Sequence, residues 1–230
     1  INYLEKWLRN KIYLILKSLV DLKDLKEKNS SIKALAYQLY ENNGVLERKQ
    51  VSEYLKNLGQ NERKILRELG VKFGRYHIFL YKLIKPDAVS LRTLLWKNYY
   101  QKYFNLKPPT FGLNFLEDNK IKNRNFMLLC GFEKFENIYV RIDILERLFV
   151  QIINSNTDKE KDIKMTSNML NLLGCTKDNF KKLLKNMGYK ISEKENDIFF
   201  KYIPQKTFKK INKRSTKESP FKVLKNLNFN

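Results

Sequence analysis

Residues 68–97, ELGVKFGRYHIFLYKLIKPDAVSLRTLLWK, restrict the fold of this chain more than any other stretch. Gly70 is placed to end a helix, because glycine takes the left-handed backbone that other residues resist. VKF-GR-YHIF then alternates apolar and basic residues about Gly74, and Pro86 opens a second helix carrying Leu91, Leu94, Leu95 and Trp96. Lys72, Arg75, Lys82 and Lys85 interleave with Phe73, Tyr76, Phe79 and Tyr81. A core does not require that mixture. Aromatic side chains here serve either packing or base stacking, and alternation along a strand puts Phe73 and some of its neighbours inside.

The N-terminal half reads as helical. Trp7, Leu8, Ile12, Ile15, Leu16, Leu19 and Leu22 recur at three and four, the spacing of one buried helix face. Ser30 or Ser31 caps a second helix with Ile32, Leu35, Ala36 and Leu39, ending near Asn43-Gly44. A third carries Val51, Tyr54, Leu55 and Leu58 to Gly59, and a fourth carries Ile65, Leu66 and Leu69 to Gly70. Residues 1–105 are therefore expected to form a helical domain. Pro108-Pro109 and the polar run after Glu117 break the pattern, so residues 106–127 read as a connecting segment.

Residues 128–204 read as a small α+β module. Two short strands turn at Glu136-Asn137, and Asp143 with Glu146 reads as an acidic capping box. From Met165 to Ile203 the order is helix, turn, helix, hairpin, which resembles a winged helix. Thr176 is placed to cap the second of these helices. Phe180, Leu183, Leu184 and Met187 line its inner side, leaving Lys177, Lys181, Lys182 and Lys185 outside. From Gln205 onward, eight Lys or Arg stand against one Glu, a basic tail. It closes on SPFKVLKNL, whose proline and apolar spacing fit a short docking helix. The fold class expected is mostly α: a helical half, a winged-helix-like α+β module and a basic tail at 205–230.

Five stretches together carry a family resemblance: ALAYQLYENNGVLER at 34–48, LGVKFGRYHIFLYKLIKP with LRTLLW at 69–96, GFEKFENIYVRIDILERL at 131–148, MLNLLGCTKDNFKKLLKNMGYKI at 169–191, and SPFKVLKNL at 219–227. In this order they resemble the region C-terminal to the motor in alphaproteobacterial DExH-box helicases. Those are superfamily-two enzymes related to the helicase of the mitochondrial RNA degradosome. The resemblance implies an accessory region that guides or grips a strand leaving an ATP-driven motor. ATP and magnesium are then expected only in that motor. Neither a G-x-x-x-x-G-K-[ST] loop nor a magnesium-holding Asp-Glu-x-His occurs here, and the chain starts at Ile1, so it reads as the C-terminal piece of a larger protein.

Charge agrees with a polyanionic partner. Forty-six basic residues stand against 24 acidic ones, a net charge of +22, and such a surface binds phosphate backbones through counterion release whatever the base sequence. The residues expected to make those contacts are Lys72, Arg75, Tyr76, Lys82 and Lys85 in the first run, Lys177, Lys181, Lys182 and Lys185 on the later helix, and Lys209, Lys210, Lys213 and Arg214 in the tail. His77 is the only histidine, which excludes a histidine relay or a multi-histidine metal site within one chain. No catalytic or metal-binding residue is assigned, and His77 is expected in packing or in a phosphate contact. Cys130 and Cys175 lack metal-type spacing and read as reduced thiols. Lysines interrupt every apolar run short of a membrane span, so a cytoplasmic location without membrane contact is the expectation. The expected partners are RNA or DNA and the motor of the same polypeptide. The alternative function is a protein platform that recruits a nuclease or a ribosomal partner.

Overall fold

The computed structural model describes residues 1–25, 30–101, 104–117, 123–155, 162–194 and 197–202. The basic tail beyond Tyr202, with Lys209, Lys210, Lys213, Arg214 and SPFKVLKNL, lies outside them. The described residues are mainly helical, with three small antiparallel sheets. Among them, no helix is long and apolar enough to cross a membrane.

Helix α1 (Asn2–Lys23) packs through its second half. Leu16, Leu19 and Leu22 are buried as their spacing requires, whereas Trp7 and Leu8, expected on the same buried face, are 56% and 51% exposed. Residues 1–11 are all exposed, so the first turns project beyond the core. Helical periodicity marks a face that can be buried, but not where the surface beneath it stops.

The chain continues through α2 (Ser30–Glu41), β1 (Val45–Glu47), α3 (Ser52–Lys56), α4 (Gln60–Glu68), β2 (Val71–Phe73) and β3 (His77–Leu80). The N-terminal half is thus not helical throughout, because β1 and β2 both pair antiparallel with β3. β3 is the central strand and all four of its residues are buried, which is why HIFL is a continuous run and not an alternating one. Phe79 accordingly goes to the core. Phe73 is half-buried beneath the guanidinium groups of Arg63 and Arg67.

Pro86 opens α5 (Pro86–Tyr99) as expected, but the helix buries Ala88, Val89, Arg92 and Thr93, while Leu94 and Leu95 are exposed. Arg92 compensates its burial by donating to the carbonyls of Asn43 and Leu83, both at 2.5 Å.

Residues 106–127 are more than a connector. They contain β4 (Phe115–Glu117) and the start of α6 (Arg124–Leu129), and they bury Phe126 and Met127 completely. Asn123 caps α6 by accepting from the Phe126 amide at 2.9 Å. β4 and β5 (Phe132–Phe135) both pair with β6 (Ile138–Arg141). A three-residue strand leaves no periodicity of its own, so its pairing partner defines it.

The last unit comprises α7 (Ile142–Ser155), β7 (Ile163–Lys164), α8 (Ser167–Leu173), α9 (Lys177–Asn186), β8 (Tyr189–Lys194) and β9 (Asp197–Tyr202). Here the expected order of helix, helix and hairpin is found. Thr176 caps α9 by accepting from the Asn179 amide at 3.3 Å, and Phe180, Leu183 and Leu184 are fully buried.

The three sheets share one strand order, β1-β3-β2, β4-β6-β5 and β7-β9-β8, with the last strand central each time. In each, the hairpin follows a helix that stops at a left-handed glycine: Gly70 (φ 92°), Gly131 (φ 85°) and Gly188 (φ 87°). The chain therefore repeats one local grammar, seen as RELGVKF, LLCGFEKF and KNMGYKI.

Candidate functional site

Where the three units meet, the β2–β3 turn is clamped onto α7. The amides of Arg75, Tyr76 and His77 donate to the Glu146 carboxylate at 2.5, 2.8 and 2.9 Å. Gly74 makes this approach possible, since a Cβ there would collide with the Glu146 carboxylate. The expected capping box is therefore not formed. Glu146 serves a distant turn, and Asp143 instead accepts from Arg141 at 2.7 and 3.1 Å.

His77 sits behind this turn, 2% exposed. Its Nε2 is 2.6 Å from Glu133 Oε2, and its Nδ1 is 3.7 Å from Glu146 Oε1 without a hydrogen bond. Burial alone pushes His77 toward the neutral form, but the bond and charge of Glu133 with the charge of Glu146 outweigh it and raise its pKa above the ordinary imidazole value. Burial likewise works to raise Glu133, and His77 and Arg124 overcome it and hold the carboxyl below its usual range. Arg124 joins Glu133, at 2.9 Å, to Glu47 on β1. A phosphate contact for His77 is excluded by this geometry; it is a buried member of an ionic network that ties the first unit to the other two.

A cleft of about 750 Å³ opens over the network. Arg48, Lys49 and Arg75 from the first unit line it, together with Arg124 and Lys134 from the middle unit and the carboxylates of the network beneath, Glu47 and Glu133. Phe149, Ile153, Met187, Tyr189, Lys201 and Tyr202 from the last unit complete the lining. Arg48 is oriented by its Nη1, which donates to the Gly74 carbonyl at 2.7 Å. Arg75 lies over the Phe149 ring, 5.7 Å from its centroid, and Tyr76 meets the same ring edge-on at 5.6 Å. The carboxylates beneath are already matched by Arg124 and His77, which leaves the rim of the cleft cationic.

Among the described residues expected to contact phosphate, only Arg75 and Tyr76 line this cleft. Lys72, Lys82 and Lys85 are exposed elsewhere on the first unit and α5's approach, with Lys85 donating to the Tyr81 hydroxyl at 3.2 Å. The lysine face of α9 is partly neutralised. Lys181 pairs with Glu193 at 2.7 Å and Lys182 with Glu117 at 3.3 Å, while Lys177 and Lys185 are exposed. The hydrogen bond to Glu193 raises the Lys181 pKa, and Asn179 with Lys182 lowers that of Glu117.

Sequence reasoning missed Arg48, Lys49, Lys134, Phe149 and Tyr202. Arg48 and Lys49 follow β1, Lys134 lies in β5, Phe149 lies in α7 and Tyr202 ends β9, so they are scattered over all three units. The chain matches no described protein family, no curated protein and no solved structure.

Proposed function

We propose that this chain is the nucleic-acid-binding accessory region of an ATP-dependent RNA or DNA helicase, gripping a strand through its phosphate backbone. The observation that carries the reading is the cationic rim of Arg48, Lys49 and Arg75 on a cleft whose acidic residues are internally neutralised. The order of helix, strand, helix, helix and hairpin in the first and last units resembles a winged helix, which supports the same reading. ATP and magnesium belong, on this view, to motor domains of the same polypeptide in the cytoplasm.

Arg48→Gln with Arg75→Gln tests the grip. Binding of short single strands, titrated across salt concentrations, is expected to weaken, and the slope of log affinity against log salt to fall by roughly 0.7 for each phosphate no longer neutralised. An unchanged slope removes the cleft from the contact surface.

A second reading, a protein-interaction platform, has its own support. Leu4, Trp7, Leu8 and Leu14 on α1 are all more than half exposed, at 67%, 56%, 51% and 62%. Contiguous apolar surface of this kind marks a partner's seat more often than open solvent.

A further inference from the structure

Two kinds of side chain meet in the lining of the cleft, contributed by different units. Arg48, Lys49 and Arg75 are cationic and belong to the first unit. The last unit supplies Phe149, whose ring lies under Arg75, with Ile153 and Tyr202, which are 52% and 50% exposed. Tyr202 is held against Tyr189 with ring centroids 5.4 Å apart in an edge-on arrangement, so its position is set while half its surface faces solvent.

A ligand matching both the cationic and the aromatic side chains carries negative charge and a flat apolar surface on one small body. A phosphate track alone leaves the aromatic side chains wet. A duplex keeps its bases stacked inside and offers them only sugar and phosphate. An unpaired nucleotide offers phosphate and an open base face together, and a cleft of about 750 Å³ falls within the roughly 300–1,000 Å³ of pockets that enclose small organic ligands. We propose, resting on the nucleic-acid reading above, that the cleft seats an unpaired nucleotide, with Tyr202 stacking on its base, and that this makes the region selective for single strands over duplex. Every base has a π face, so such a platform is tolerant of sequence. Backbone contacts at Arg48 and Arg75 are shared by RNA and DNA, and the stacking ring is blind to the sugar.

The test compares four labelled probes by fluorescence anisotropy: an oligouridylate, an oligothymidylate, a duplex of the same length and an abasic strand. The unaltered chain is expected to bind both base-bearing single strands more tightly than the duplex and the abasic strand. Tyr202→Ala is expected to weaken the base-bearing strands about tenfold and to leave the other two unchanged. Tyr202→Phe keeps the stacking face and is expected to retain full affinity, with unfolding midpoints confirming that both variants are folded. Weakening on RNA and DNA alike supports a sugar-blind platform. Weakening on one polymer alone overturns it. Equal binding of all four probes with Tyr202→Ala silent overturns the inference while leaving the phosphate grip standing, provided Arg75→Gln still flattens the salt slope. Absence of binding to every probe overturns both.

Discussion

Two carboxylates tie the last unit to the rest of the molecule, in opposite environments. Glu146 on α7, with its side chain 12% exposed, takes three amides from the β2–β3 turn and faces His77. Glu117 on β4, with its side chain 46% exposed, accepts from Asn179 at 3.0 Å and Lys182 at 3.3 Å on α9. Both are acidic groups among donors, yet their energetic weights differ. In the first, water is excluded and every unmatched group is costly. In the second, solvent screens the charges and replaces any donor that is removed. The chemistry at the buried joint therefore holds the cleft together, and the chemistry at the exposed one only decorates it.

The strongest way to break this contrast is Glu133→Ala. It leaves His77 buried without its partner and Arg124 with Glu47 alone. Removing one member of a buried pair typically costs 3–5 kcal/mol. Arg124 has a side chain 42% exposed, and water relieves it, so the lower end, about 3 kcal/mol, is expected. Chemical denaturation followed by circular dichroism measures it. A loss near zero would place the network among surface ion pairs.

Gly74→Ala probes the same joint by size. The added methyl meets Glu146, which three amides hold in place, so either the turn or the carboxylate must move. Overpacking of this kind costs roughly 1–3 kcal/mol. Gly70→Ala makes a useful contrast, since nothing lies within 4 Å of a Cβ there and only its positive φ of 92° opposes the change.

The buried joint also imposes a pH dependence. Because His77 is raised in the folded state, its contribution is complete below the unfolded imidazole value of about 6.5 and fades as pH rises through the higher folded value. Glu133 is depressed, so its contribution is present above the unfolded carboxylate value of about 4.3 and is lost as pH falls through the folded one. Stability should be greatest in mildly acidic solution. Urea midpoints measured upward from pH 6 should fall in the parent and stay flatter in His77→Gln, and parallel curves would show that His77 does not titrate in the fold.

How far the residues foretold this arrangement differs between the two joints. The helix starts and stops that depend on one local residue were legible, including Thr176 before α9, Gly70 after α4 and Pro86 at the head of α5. The hairpin about Glu136-Asn137 and the one that closes the last unit were also legible, because alternation and turn chemistry act within a few positions, whereas the hairpin about Gly74 lay inside a half read as helical. What escaped was long-range. Glu146 looked like a cap because a cap is the local use for an acid in a first turn, and nothing near it in sequence announces a turn 70 residues away. β1 and β4 are three residues each, too short for a period of two to emerge. The cleft draws on all three units, so no single window contained it.

The exposed joint gives the smallest effects, and they sharpen the contrast from the other side. Glu117→Gln keeps a hydrogen-bond acceptor for Asn179 and Lys182 and is expected to leave the denaturation midpoint unmoved. Changing Lys177, Lys181, Lys182 and Lys185 together to Gln should also leave the fold intact, since helix propensities of Lys and Gln are close. Its readout is the salt slope on single strands. Four lysines on a phosphate track would together supply roughly 2.8 units at about 0.7 each. Lys181 and Lys182 already have carboxylate partners, so a fall of about 1.4 units at most is expected, from Lys177 and Lys185 alone. A fall of about 2.8 would mean that Glu193 and Glu117 surrender their lysines to phosphate, making α9 a contact surface equal to the cleft. An unaltered slope would leave the cleft as the grip and α9 as a helix whose outer lysines, paired at Lys181 and Lys182, take no part in binding the strand.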